Sequence, residues 1–258
     1  PPRDKLVKPL AQAPERLDIP WVVAVFPKGS GGAMTIFRMV RLLESFGHRC
    51  TVWVQNPTMF KDEAQAREAI LANFQPIKAE VRFQSPEFFM ASGDALIATA
   101  WETVASVAHA QNFRERFYFV QDHEPEFFST GSNYIAAKLS YSRDLACICA
   151  GPWLSQMMES YGRWSRYFHL AVDAGDYFPP PAPPENAPPR IALYARMSTT
   201  RRAVELGLIA LEILARRGVA FEVDLFGEKL RYRRAPFPAR SHGMLRPAQL
   251  GALYAYKW

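Results

Sequence analysis

The chain has 258 residues, with 31 basic and 25 acidic side chains and a formal net charge of +6. Hydrophobic residues make up 49% of it and charged residues 22%, a globular composition that excludes a disordered or fibrous protein. No apolar run approaches the roughly 20 residues that a membrane span needs. Three cysteines are too few for a disulfide scaffold and favour a reducing, cytoplasmic compartment. The dispersed basic residues argue against a nucleic-acid partner, and no cysteine or histidine spacing indicates a metal site.

The first 20 residues are predicted to form an arm, because they are rich in proline and lack periodicity. From residue 21 to 178, short apolar strands alternate with amphipathic helices. The predicted strands are 21–26, 49–55, 79–84, 95–99, 117–120, 146–150 and 167–172. The predicted helices are 33–46, 64–74, 102–110, 133–141 and 153–161. This alternation predicts an N-terminal α/β domain with a parallel, doubly wound, Rossmann-like sheet.

Residues 179–189 are predicted to form an extended linker, since seven of these eleven residues are proline. The alternation then restarts in a second domain, residues 190–258. Its predicted elements are a strand at 190–194, a helix at 201–217, a strand at 221–226, a third strand near residue 241 and a helix at 247–256. Because a doubly wound domain normally has about five or six strands, we expect this domain to be incomplete.

A glycine-rich turn, Gly29-Ser30-Gly31-Gly32, separates the first strand from the first helix. Glycine permits positive φ and a close approach of ligand to backbone, and a helix N-terminus favours anions. The turn has neither the dinucleotide-binding nor the P-loop pattern. Two interpretations stay open, a plain turn and a ligand-facing loop, and the position at the carboxyl end of a strand favours the second.

The polar run from Gln121 to Pro125 follows another apolar strand, where residues that line the crevice of a parallel sheet belong. Asp122 and His123 are the candidates for chemistry, because a histidine preceded by an aspartate at the end of a strand has a better case for a functional role than a lone histidine. The alternative is a solvated turn in which these side chains only cap backbone groups.

Basic side chains follow both clear strands of the second domain. Arg196, Arg201 and Arg202 come after the first, and Glu228 and Lys229 after the second. Arginine binds phosphate through two parallel hydrogen bonds, so this pattern indicates an anion site. We expect a threonine, at 199 or 200, to cap the following helix. A solvated basic helix start is the alternative, and the helix dipole disfavours it.

Three segments resemble the WsaF-type rhamnosyltransferases of glycosyltransferase family 4, which have the GT-B fold. They are the run FYFVQDHEPEFF at 117–128, CAGPWL at 149–154, and the arginine-containing run at 196–207. The resemblance covers residues 21 to 258. It implies two Rossmann-like domains that face a cleft, with the acceptor mainly on the first and the nucleotide-sugar donor mainly on the second.

The resemblance also implies residue roles. Asp122 and His123 would face the reacting sugar or the acceptor and count as catalytic. The donor-binding residues would be Gly31, Gly32, Arg196, Arg201, Arg202, Glu228, Lys229, Gly243 and Met244. Within this set the glycines at 31 and 32 would lie beside the diphosphate and the basic side chains would neutralise the leaving group, while the loop at 242–245 would contact the base.

The implied partners are a nucleotide-diphosphate sugar and a glycan acceptor, with no cofactor and no metal. The implied location is cytoplasmic; peripheral association with the inner face of the membrane and a homodimer stay open. The family's Glu-x7-Glu motif should follow the helix that ends near residue 256. The chain ends before it, so we expect a C-terminally truncated enzyme that lacks part of its active site.

Three functions stay open at this point. The first is a retaining transferase that moves L-rhamnose from dTDP-L-rhamnose to a glycan acceptor in surface polysaccharide synthesis. The second is a family 4 transferase that uses a different donor sugar. The third is a non-catalytic or degenerate nucleotide-sugar-binding module.

Overall fold

The computed structural model of the protein describes residues 15–178, 188–232 and 235–255. The chain divides into two compact units, residues 1–170 and 171–258. The sequence placed 171–178 in the first domain, whereas the structure places them in the second unit. There the Tyr177 ring lies 6.3 Å from the Tyr254 ring, and the Asp176 carbonyl oxygen lies against Gly251. Most of the predicted linker, 179–187, lies outside the described residues.

The first unit is built on a seven-stranded, wholly parallel sheet of order β3-β2-β1-β4-β5-β6-β7. Its strands are β1 (Asp18–Val23), β2 (Arg49–Val54), β3 (Glu80–Phe83), β4 (Gly93–Ala98), β5 (Phe113–Val120), β6 (Ala146–Ala150) and β7 (Ser165–Phe168). Its α-helices are α1 (Gly31–Ser45), α2 (Glu63–Asn73), α3 (Trp101–His109), α4 (Ser132–Ser140) and α5 (Pro152–Ser160). Each predicted strand and helix of this unit is present, in the predicted order.

Helices cover both faces of this sheet, and each face has its own apolar core. Phe37 and Val40 of α1 belong to one core, and Val104 of α3 belongs to the other. Neighbouring residues of β1 point to opposite faces, so Val23 packs in the first core and Val22 in the second. Burial on both faces explains the uniformly apolar sequence of the central strands.

The second unit has a three-stranded parallel sheet of order β10-β9-β8 within its described residues. Its elements are β8 (Arg190–Ala195), α6 (Val204–Arg216), β9 (Glu222–Gly227), β10 (Ala239–Gly243) and α7 (Pro247–Ala255). Val204 and Leu208 of α6 pack on Val223 and Leu225 of β9 in a third core. The predicted α/β class with parallel, Rossmann-like sheets is therefore confirmed for both units.

Several predicted boundaries are wrong. Strand β1 begins at Asp18, so the arm ends before residue 20, and β7 ends at Phe168 rather than 172. Helix α6 begins at Val204, not 201, because Ala203 takes the left-handed conformation with φ 47° and interrupts the helix. The predicted threonine cap is absent for the same reason, since Ala203 holds the N-cap position.

Among the described residues, no helix combines the length and the apolar character that crossing a bilayer requires.

Candidate functional site

The crevice of the first sheet lies where the strand order reverses, between β1 and β4. The helices that follow these strands, α1 and α3, pack on opposite faces, so the loops after β1 and β4 diverge there. In open parallel sheets this is where ligands bind, outside the carboxyl ends of the strands. Strand β5 is the next neighbour of β4, and its loop carries Asp122 and His123 at the same edge.

The glycine-rich turn begins α1 directly. Ser30 is the N-cap, and its Oγ accepts a hydrogen bond of 3.2 Å from the Ala33 amide. Gly31 and Gly32 form the first two helical residues and lie on the surface. A Cβ added to Gly32 would lie 3.5 Å from Nε2 of Gln121, so this glycine brings the turn close to the loop after β5. The structure thus joins two predicted segments at one edge.

Asp122 and His123 lie half-buried beside this turn. Oδ1 of Asp122 accepts a hydrogen bond of 2.9 Å from the His123 amide, which tightens the loop. The His123 ring stacks on Tyr141 at a centroid distance of 5.9 Å and meets Trp153 edge-on at 6.3 Å. Its Nδ1 lies 3.0 Å from Oε1 of Glu126. Because 59% of Trp153 is exposed, aromatic surface is available next to the histidine.

Glu124, the fourth polar residue of the run, points inward and is only 6% exposed. Its Oε1 accepts a hydrogen bond of 2.6 Å from the Tyr118 hydroxyl, and its Oε2 accepts one of 2.8 Å from the Trp101 amide. Burial raises the pKa of Glu124 to about 7, although both hydrogen bonds act to lower it. Nothing in the sequence distinguishes this carboxylate from its polar neighbours.

In the second unit, Glu228 connects the loops that follow β8 and β9. Its Oε2 accepts a hydrogen bond of 3.1 Å from the Ser198 amide, and its Oε1 accepts one from the Ser198 hydroxyl. Nε of Arg196 lies 3.8 Å from the same Oε1. The Ser198 hydroxyl, the Ser198 amide and then the charge of Arg196 lower the pKa of Glu228. The sequence did not predict this role of Ser198.

The other predicted donor residues lie at the same end of the second sheet. Arg201 and Arg202 form a 3-10 turn before α6, and the Arg202 guanidinium lies 5.4 Å from the centre of the Tyr194 ring. The backbone of Lys229 faces Gly243, where an added Cβ would lie 3.9 Å from the Lys229 nitrogen. Met244 follows with 51% of its surface exposed. Arg196, Glu228, Lys229 and Gly243 therefore cluster at the carboxyl ends of β8, β9 and β10.

A buried aspartate in β9 was not foreseen. Asp224 is 1% exposed and accepts a hydrogen bond of 3.3 Å from Nη2 of Arg190 on β8. It also contacts Nε2 of His242 on β10. The sequence could have indicated this contact, because a carboxylate within an otherwise apolar strand is buried and needs partners on the neighbouring strands. This contact holds the strand that leads directly into Gly243.

Neither a cavity nor a cluster of metal ligands marks this site in the described part of the chain. Two cavities, of about 320 and about 390 Å³, lie at the amino ends of β1 and β2, where Asp18 and Arg49 line the first and Arg49 the second. That is the edge opposite the predicted residues, so chemistry and not cavity size identifies the site. In the described part of the chain, no group of three or more histidine, cysteine, aspartate or glutamate side chains has the geometry to hold a metal ion.

The chain is similar in sequence to one known protein family and to one known bacterial protein. The family described as WsaF, N-terminal domain, matches residues 54–150. The O-antigen biosynthesis protein RfbC of Myxococcus xanthus is 32% identical over 244 residues. That match covers 91% of this chain and 19% of the relative, so the chain spans about a fifth of the relative's length.

Solved structures establish the fold. HepE of Anabaena, in complex with UDP-glucose, matches 93% of this chain and 72% of its own with a TM-score of 0.62 and 16% identity. The lipopolysaccharide outer core galactosyltransferase WaaB, in its apo form, matches 93% of this chain and 72% of its own with a TM-score of 0.56 and 13% identity. The predicted GT-B fold is therefore confirmed.

Proposed function

We propose that the chain is a glycosyltransferase that uses a nucleotide-diphosphate sugar to extend a polysaccharide. One observation carries this proposal: Arg196, Lys229 and Gly243 come together at the carboxyl ends of three adjacent parallel strands. The similarity to RfbC and the likeness to HepE bound to UDP-glucose support it.

The basic side chains of the second unit suit a diphosphate leaving group. When the bond to the sugar breaks, negative charge develops on the nucleoside diphosphate, and cations already in position stabilise it. Arg196 is partly exposed, and its Nε lies 3.8 Å from Oε1 of Glu228, which is longer than a hydrogen bond. Its guanidinium can therefore bind a phosphate. Glu228 meanwhile holds Ser198, which keeps the loop that carries Arg196 in place.

The first unit supplies groups for the acceptor. Asp122 and His123 lie at the crevice edge, where a carboxylate or an imidazole takes up the proton that an acceptor hydroxyl releases. The exposed face of Trp153 beside His123 suits a sugar ring, because partially positive C–H groups pack against the negative face of an aromatic ring.

The donor that we propose is dTDP-L-rhamnose, from which L-rhamnose is transferred with retention of configuration. This choice is based on the resemblance to the WsaF-type enzymes. Another donor sugar is the first alternative. The second is a module that binds a nucleotide sugar without transferring it. A cytoplasmic location is part of the proposal, because the three cysteines are free and buried in the structure.

Calorimetric titration with dTDP, UDP and GDP tests the donor site. We expect one of them to bind and Arg196→Ala to weaken that binding by roughly 10- to 150-fold, the effect of one hydrogen bond to a charged group. Arg217→Ala is the matched control, since Arg217 lies at the far end of α6. A transfer assay with dTDP-L-rhamnose and bacterial polysaccharide acceptors then follows release of dTDP.

Each outcome separates the alternatives. A folded sample that binds none of the three nucleotides overturns the donor site, and equal affinity of the Arg196 variant and the parent removes Arg196 from it. If the protein prefers UDP or GDP to dTDP, the donor is a sugar linked to that nucleotide and not dTDP-L-rhamnose. Binding without release of nucleotide in any acceptor assay favours the non-catalytic module.

A further inference from the structure

Glu124 joins two loops at the crevice edge of the first sheet. Its Oε1 accepts from Tyr118 of β5, and its Oε2 accepts from the amide of Trp101, the first residue of α3. Because α3 follows β4, a single side chain ties the carboxyl ends of two adjacent strands together. The 6% exposure of Glu124 shows that this connection lies inside the protein.

The amino end of α3 needs this carboxylate. The N-cap residue is Ala100, whose side chain cannot accept a hydrogen bond, so the first helical amides must be satisfied from elsewhere. Oγ1 of Thr103 accepts from the amides of Thr99 and Ala100, and Glu124 accepts from Trp101. A carboxylate at this place also interacts favourably with the helix dipole.

The same residue fixes the backbone of the loop that carries the proposed catalytic groups. The Glu124 amide donates a hydrogen bond of 2.9 Å to the Tyr141 hydroxyl, which donates one of 3.2 Å to the Asp122 carbonyl. The His123 amide in turn donates to Oδ1 of Asp122. Both sides of the Asp122–His123 dipeptide are thus anchored, while the two side chains stay at the edge of the crevice.

We propose that Glu124 is a positioning residue that holds Asp122 and His123 in place by binding the amino end of α3 and the Tyr118 hydroxyl. The expected effect on catalysis rests on the proposed function, whereas the anchoring of the loop by Glu124 does not. The ionisable groups that face Glu124 are Tyr118, Tyr141, Glu102 and Asp122. Either protonation state keeps both contacts, because a protonated Oε1 donates to the Tyr118 hydroxyl, which then accepts.

Two variants of the full chain test the proposal. Glu124→Gln keeps both contacts, with its oxygen accepting from Trp101 and its amide donating to Tyr118. Glu124→Leu has a similar shape and neither contact. We expect hydrogen exchange of the Trp101 and Glu124 amides, resolved by NMR, to rise by about 10-fold or more in the leucine variant and to stay near the parent rate in the glutamine variant. This measurement needs no donor and no acceptor.

The kinetic readout separates positioning from folding. We expect kcat for nucleotide-sugar transfer to fall by about 10- to 100-fold in the leucine variant, with KM for the donor little changed, and the glutamine variant to restore it. If the leucine variant fails to fold, Tyr118→Phe takes its place in the experiment. This variant removes one of the two contacts, so we expect its kcat to lie between those of the parent and a variant without either contact. Glu102→Gln, which removes a nearby carboxylate, is the control.

Two results overturn the proposal: unchanged exchange at Trp101 in a folded leucine variant, or parental kcat in a folded leucine or phenylalanine variant. If the parent itself transfers no sugar, the proposed function fails, and the exchange measurement still decides whether Glu124 holds the loop.

Discussion

Replacing Glu124 by glutamine removes a buried ionisable group and keeps its hydrogen bonds to Tyr118 and Trp101, so it isolates the free energy of ionisation. The pKa of Glu124 is raised from 4.5 to about 7, mainly by burial. Because the folded-state pKa lies above the unfolded value, the stability that Glu124 contributes is complete below about pH 4.5 and is lost as pH rises through about 7. Full ionisation costs about 3 kcal/mol of the free energy of unfolding.

The experiment compares urea unfolding of the parent and the glutamine variant over a range of pH. Between about pH 5.5 and about pH 8.5 the parent should lose roughly 2 kcal/mol more than the variant. Five of the six tryptophans lie within residues 1–170, so tryptophan fluorescence follows the unit that contains Glu124. Glu68→Gln is the control, because it removes an exposed carboxylate of α2 in the same unit.

Parallel pH profiles of the parent and the glutamine variant would refute this reasoning, because they would mean that Glu124 ionises in the folded protein as it does in water. A steeper profile in the variant would reverse the sign and show that the ionised carboxylate stabilises the fold.

Two further predictions concern other parts of the chain. Gly227→Ala should destabilise the second unit by more than about 1 kcal/mol, seen as faster hydrogen exchange in β8 and β9. Its φ is +108°, and the new Cβ would lie 2.5 Å from Cε2 of Tyr194. Trp153→Ala should raise KM for the glycan acceptor by roughly 5- to 10-fold, as for a contact of about 1 kcal/mol, and leave thermal unfolding unchanged. Phe46→Ala, which alters another exposed aromatic residue, at the end of α1, is its control; an unchanged KM in the Trp153 variant would exclude stacking.

Hydrophobic patterning predicted the strands and α-helices of the first unit, because most of them bury an apolar face or stripe that repeats with the period of the element. Short turns have no such repeat, so the 3-10 helices at Pro86–Met90, Glu124–Phe127 and Thr200–Arg202 were missed. The start of α6 was missed for a related reason. Alanine is a strong helix former, and nothing in the sequence marks Ala203 as the left-handed residue at which the helix is interrupted.

The candidate site was predictable at the level of loops but not of side chains. Polar residues after a buried strand belong at the crevice edge, and Asp122 and Arg196 do follow the carboxyl ends of β5 and β8. Which of several adjacent polar side chains turns inward depends on partners from distant segments. The partners of Glu124 are Trp101 and Tyr118, and the partner of Asp224 is Arg190 on a neighbouring strand.

Each unit uses a glutamate to connect two loops at the carboxyl edge of its sheet, and burial makes the two respond oppositely to pH. Glu124 is buried and its pKa is raised, so its stabilising contribution is lost as pH rises through about 7. Glu228 lies near solvent, and Ser198 and Arg196 lower its pKa, so its contribution is lost only as pH falls below about 4.5. The unit that contains Asp122 and His123 therefore loses stability as pH rises through the neutral range, while the contribution of Glu228 to the second unit stays constant there.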